Sequence, residues 1–240
     1  MPAVVVRHLV RHGDRVTDRA VIESAWRSLT SAVARRDGDH CAEALRGGVR
    51  VGLLQCAGPG ALIALEAGSD DAAAVEDLVR ALRDRGWEGD ELLADQINYR
   101  ARGSATDRRS LALDVGTLAE VRDDPRGGLL DLTTGMAWRT DLIEDGQCED
   151  LDPDEEPDPD RWLEIDGEGS RAPYQDMVDF TADLDHVAAR EDLTAALSGR
   201  GAFRRFQAAL NRHEHLRVHW RVLTAERRAG RARAWLADQG

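Results

Sequence analysis

A chain of 240 residues with 42% hydrophobic content can bury one large core or two small ones, and it is too apolar for wholesale disorder. Its net charge of −13 at pH 7 weighs against a polyanion binder, and no apolar run approaches the roughly 20 residues that span a bilayer. Cys41, Cys56 and Cys148 lie far apart without a C-x-x-C spacing, which argues against a disulfide framework or a structural zinc site. The opening Met1 to Arg7 has neither the apolar core nor the cleavage site of a signal peptide, so a cytoplasmic setting is expected.

Residues 4–10 suit a short strand. Thr17 or Asp18 is placed to cap a helix running to about Arg36, with Ile22, Trp26, Leu29 and Val33 at helical spacing. After the glycine pair Gly47-Gly48, Val49–Gln55 and Ala61–Leu65 suggest strands joined by Gly58-Pro59-Gly60. Ser69-Asp70-Asp71 precedes a second helix over 72–85, with Val75, Leu78, Val79 and Leu82 as its buried stripe and Gly86 as its stop. A shorter helix is expected over 91–97. Residues 1–105 therefore suggest a small α+β unit, with the polar stretch 100–109 as the linker.

In 106–240, residues 128–131 and 136–140 suggest a hairpin turning at Thr133-Thr134-Gly135, and 162–165 a third strand. Between them, 145–160 holds nine acids and three prolines, a loop with too little apolar surface to order itself. Helices are expected from Pro173 to Leu184, over 190–197, over 201–211 and over 225–237. Residues 216–222 fit either state. Leu216, Val218, Trp220 and Val222 alternate as in a strand, yet Trp220 and Leu223 share a helical spacing. The expected class is α+β, a small antiparallel sheet packed by C-terminal helices.

Charge is unevenly placed. Residues 141–185 carry a net −16 and residues 198–240 a net +7, and every basic residue is Arg. Such asymmetry points to a choice of partner, or to attraction between the two segments.

Several pieces of the second half resemble one family. They are Leu130-Asp131-Leu132-Thr133-Thr134-Gly135, Tyr174 to Phe180, Gly199-Arg200-Gly201-Ala202-Phe203-Arg204-Arg205-Phe206, Trp220, and Trp235-Leu236. Together they resemble the bacterial uncharacterised protein family 0158, from about Leu111 to Gly240. The resemblance implies a shared fold and brings no activity. The usual member has Lys where Gln207 stands here.

The constellations leave few routes to function. Gly199, Arg200 and Gly201 precede a helix whose first N–H groups, with Arg204 and Arg205, could hold a phosphate or carboxylate. The bland alternative is a tight turn in which Phe203, Phe206 and Leu210 fill the core. Arg217, Arg221, Arg228 and Arg231 share a face if 216–238 is one helix, a pattern suited to nucleic-acid backbone, although the overall charge opposes it. His213, His215 and His219 lack the spacing and the fourth ligand of a metal site, and no cofactor motif is present. Arg11-His12-Gly13 resembles the nucleophile motif of the histidine phosphatase superfamily, but no later His is followed by Gly as that family requires. Asp131 is best suited to satisfying turn N–H groups. The expectation is a binding module for an anionic small molecule or acidic protein, with nucleic-acid association and phosphatase activity as alternatives and no membrane role.

Overall fold

In the computed structural model, which describes residues 19–68, 72–103, 113–152 and 156–239, the longest element is the last. Five helices come first: α1 (Arg19–Arg35), α2 (Gly38–Arg50), α3 (Leu54–Glu66), α4 (Ala72–Arg85) and α5 (Asp90–Ala101). The α1 helix turns Ile22, Ala25, Leu29 and Ala32 inward, and α4 buries the expected Val75, Leu78, Val79 and Leu82. The carboxylate of Asp37 starts α2 by accepting the His40 N–H at 3.1 Å.

Two strands expected in this half are helices instead. Residues 49–50 end α2, and Ala61–Leu65 lies within α3, with Pro59 inside that helix. The reason is an apolar sequence all round, since even the half-exposed face carries Cys56, Pro59, Leu62 and Leu65. Leu54, Gln55, Ala57, Gly58, Gly60, Ala61, Ile63 and Ala64 are all buried, so α3 shows no polar face, and a short apolar run does not distinguish strand from helix. Gly58 works as a packing residue rather than a breaker, because a Cβ there would stand 2.8 Å from Leu93.

Then come α6 (Val115–Asp123), β1 (Gly128–Asp131), β2 (Ala137–Arg139), α7 (Thr140–Glu144) and β3 (Trp162–Ile165). The strands form one antiparallel sheet in the order β2-β1-β3, with Leu129 opposite both Trp138 and Glu164. Leu130 and Ile165 pack from the sheet against Leu118 and Val121 of α6. The acidic segment 145–160 is not wholly solvent-borne, since Cys148 is buried beside Ile143 and Trp162 and Leu151 packs against them.

The chain closes with α8 (Arg171–Ala182), α9 (Val187–Leu197), α10 (Ala202–Arg212) and α11 (Glu214–Asp238). Residues 216–222 are helical, within α11. This helix enters three cores. Val218 and Val222 join the N-terminal helices, Leu216 and Leu223 join α8, α9 and α10, and Ala232 reaches the sheet cluster. The protein is thus α+β, with helices dominant and, among the described residues, one sheet, which lies in the second half; the strand expected over 4–10 lies outside the described residues.

Asp131 closes the hairpin as expected. It accepts the N–H groups of Thr133 at 2.7 Å and Thr134 at 3.3 Å, and an Arg161 N–H at 2.8 Å. The Arg161 guanidinium, followed by the turn N–H groups, holds this buried carboxyl far below the usual carboxylate range. A depressed folded value means stabilisation that is full above the unfolded value of about 3.9 and lost as pH falls. Asp131→Asn should therefore lower stability at neutral pH and shrink the gap between neutral and acid stability, as read from urea unfolding at about pH 7 and pH 3.

Candidate functional site

The Gly-Arg-Gly bend lies between α9 and α10. Gly199 and Gly201 have φ of 74° and 77°, left-handed values that side chains rarely adopt, so both glycines are needed to reverse the chain. Arg205 fixes the bend from below. Its guanidinium donates to the carbonyls of Ala196 at 3.2 Å and Gly199 at 3.1 Å, and to those of Ser198 and Arg200. The Ala196 carbonyl is one of the last that α9 leaves without a helical partner, and the other three belong to the bend itself. Arg205 therefore positions the loop, and its donors are already engaged.

The remaining side chains of the bend point elsewhere. Arg200 and Arg204 are exposed, and among the described residues neither guanidinium makes an ion pair or hydrogen bond. Phe203, expected in the core with Phe206 and Leu210, is 42% exposed, whereas Phe206 is fully buried. It meets Tyr174 edge-on with ring centroids 6.5 Å apart. Tyr174, 37% exposed, donates its hydroxyl to the Leu197 carbonyl at 3.2 Å. Two half-open rings thus meet next to the bend that carries the exposed Arg200 and Arg204.

The second set of arginines is differently disposed. The continuous α11 does put Arg217, Arg221, Arg228 and Arg231 on one helix, but two of the four are met by carboxylates within the molecule. Arg228 pairs with Asp123 at 2.9 Å, and Arg231 pairs with Glu168 and with Asp176 at 3.1 Å. Arg227 adds Asp176 at 2.8 Å and Asp179 at 2.7 Å. Arg221 lies over the Trp26 ring, 5.3 Å from its centroid, and Arg217 stays exposed. Glu168, Asp176 and Asp179 belong to the acidic stretch 141–185, so part of the charge asymmetry closes within the molecule.

A buried ionic cluster escaped the reading of the sequence. Glu226 of α11, fully buried, accepts the backbone N–H groups of Gln55 at 2.6 Å and Cys56 at 2.9 Å and an Arg85 N–H at 2.8 Å. Arg85 also grips Asp90 through two bonds of 2.9 and 2.7 Å. Gln55 links Asp90 at 2.9 Å to Arg233 at 2.9 Å. Burial pushes Arg233 down to about 10, which leaves it charged at neutral pH. Every member has partners, the pattern of a structural network. The sequence signal was present: Val222, Glu226 and Gly230 recur at i, i+4 on a buried stripe, and a lone acid there asks for a buried cation.

Burial disfavours the thiolate form at all three cysteines. Burial, then Glu226, raises Cys56 well above its ordinary value, and burial also raises Cys41 and Cys148. Among the described residues no three His, Cys, Asp or Glu groups are placed to hold a metal ion. The structure brings His186, rather than His219, together with His213 and His215. Arg11, His12 and Gly13 lie outside the described residues, and among those described no helix is long and apolar enough to cross a membrane.

Residues 109–240 match the model of the Uncharacterised protein family (UPF0158). The chain belongs to this family. No match is found among the curated proteins or among the solved structures. The UPF0158 region contains everything from α6 onward, and packing accounts for most of the residues that carried the resemblance. Asp131 holds the hairpin, and Phe180, Phe206 and Trp220 form an aromatic cluster with centroids 4.9 to 6.5 Å apart. Asp176 and Asp179 bind Arg227, and Trp235 lies under Arg122 at 5.1 Å. Tyr174, Arg200, Phe203 and Arg204 are the ones that packing leaves unused.

Proposed function

We propose that this UPF0158 member is a non-enzymatic binding module, and that it takes an acidic polypeptide segment at the corner built from Tyr174, Arg200, Phe203 and Arg204. The observation that carries the reading is the exposure of Phe203. Helical spacing would allow this ring a place in the core, yet it stands beside Tyr174 at the surface, and Arg200 and Arg204, close to it in sequence, are exposed with no carboxylate on them among the described residues. A small anion needs donors and has no use for two exposed rings. Tyr, Phe and Arg together are what protein interfaces concentrate, the rings excluding water and Arg reaching a carboxylate. Gly199, Gly201 and Arg205 preorganise the corner, which lowers the ordering cost of association.

The nucleic-acid alternative is weaker on the same grounds. Arg228 and Arg231 are held by carboxylates, which leaves fewer cations along α11 for a phosphate backbone. An oligonucleotide should therefore show no mobility shift at physiological salt.

A labelled peptide alternating Glu and Leu is the direct probe, read by fluorescence polarisation. Binding should weaken as salt rises, fall at least about fivefold in Phe203→Ala, and vanish in Arg200→Glu/Arg204→Glu. Both variants should melt like the parent, because surface changes of this kind stay within about 0.5 kcal/mol. No binding at low salt, or equal binding by all three proteins, contradicts the proposal.

A further inference from the structure

We propose that His186, His213 and His215 form a pH-operated latch, which releases the first turn of α9 when the imidazoles take up protons. The three rings make a triangle, with centroids 6.4 Å (His186–His213), 5.9 Å (His186–His215) and 6.2 Å (His213–His215) apart. They join separate parts of the chain. His186 is the residue before α9, and His213 is the joint between α10 and α11.

His186 caps α9 through its ring, whose Nδ1 accepts the Ala189 N–H at 3.1 Å. A neutral imidazole has one acceptor nitrogen and a protonated one has none. Protonation therefore deletes the cap and sets a cation on the positive end of the helix, two changes of the same sign. The same chemistry argues against a metal on this triangle, because the lone pair that would bind it is already committed to the helix.

The charged groups around the cluster are unevenly placed, with one carboxylate in contact and, among the described residues, none on His186 or His215. From α9, Asp192 meets His213 Nε2 at 3.0 Å, but its carboxylate is shared with Arg212 at 2.9 Å. Arg190 is turned to the Leu184 carbonyl at 3.1 Å, which adds another cation beside the start of α9. Asp185 and Glu214 flank the triangle in sequence and are exposed, where water screens them. His186 and His215 are themselves exposed; partial desolvation of the His215 ring, then the two neighbouring imidazoles, hold it below its ordinary value. A depressed folded value gives stabilisation that is full above the ordinary histidine value of about 6.5 and is lost as pH falls below it. The latch stands on the cap and the triangle, and does not depend on the binding corner at the other end of α9.

Amide hydrogen exchange by NMR tests it, between about pH 7.5 and pH 5.5, where imidazole titrates, after correction for the intrinsic rate. Protection of the Ala189 amide should fall about five- to tenfold in the parent protein, while the Leu78 amide in α4 holds constant. In His186→Asn, whose side chain accepts at either pH, protection of Ala189 should not change. A flat Ala189 profile in the parent, or the same fall in His186→Asn, overturns the proposal.

Discussion

Glu226→Ala is expected to cost about 3–5 kcal/mol of unfolding free energy, the usual result of stripping one partner from a buried pair. Glu226 does two jobs. It balances Arg85, whose side chain is 5% exposed, and it caps α3 from a distant part of the chain. The residue preceding α3 is Leu53, which has no side-chain acceptor, so the N–H groups of Gln55 and Cys56 depend on the carboxylate of α11. Without it, two buried donors and half of a guanidinium lose their partner at once. Glu226→Gln keeps one acceptor oxygen and should fall between the parent and Glu226→Ala. Urea unfolding at neutral pH measures both variants. A loss below about 1 kcal/mol would mean that water reaches the cluster and screens it.

Gly230→Ala is the second large effect, and its sign is the test. Inside a helix the change should stabilise by about 1 kcal/mol on propensity alone. Here a Cβ would stand 2.1 Å from the Glu88 carbonyl oxygen. The opposing wall is also backbone, since a Cβ on Gly89 would lie 2.2 Å from the Gly230 oxygen, and Gly89 has φ of 79°. Neither side has a flexible side chain to give way. Overpacking of about 1–3 kcal/mol or more should therefore exceed the propensity gain, and the melting temperature should fall. A rise in melting temperature would show that α11 can lift off the turn before α5 without loss.

What was legible in the sequence was what periodicity controls. The stripe of α4, the hairpin closed by Asp131, the third strand and the helix after Gly201 all announce themselves by spacing or turn chemistry. The all-round apolar sequence of α3 erased its period, so it resembled strand and turn. Residues 216–222 had two patterns at once, and the tertiary contacts of Val218, Val222 and Leu223 decide for helix. Phe203 was misplaced for a subtler reason. Ala202, Phe206, Ala209 and Leu210 define the buried arc of α10, and Phe203 falls just beyond its edge. Spacing alone does not fix where a core stops.

The same limit applies to charge. Composition revealed an acidic segment and a basic one without saying which residues meet. Arg227 and Arg231 meet Glu168, Asp176 and Asp179, and α11 becomes a strut held by carboxylates on α8 and the segment before it. Arg205 was counted as a ligand candidate because it sits in an Arg-rich string, but the carbonyls at the end of α9 claim it. With those arginines engaged, Arg200 and Arg204 stay exposed on the bend that leads to Phe203, and Arg217 stays exposed on α11.

Backbone NMR of the intact protein, titrated with the Glu-Leu peptide, addresses that remainder directly. Shifts concentrated on Gly199 to Arg205 and on Tyr174, with the α11 amides from Arg217 to Arg231 unmoved, are the expected result. Shifts centred on α11, or none along the Gly199–Arg205 bend, would contradict it.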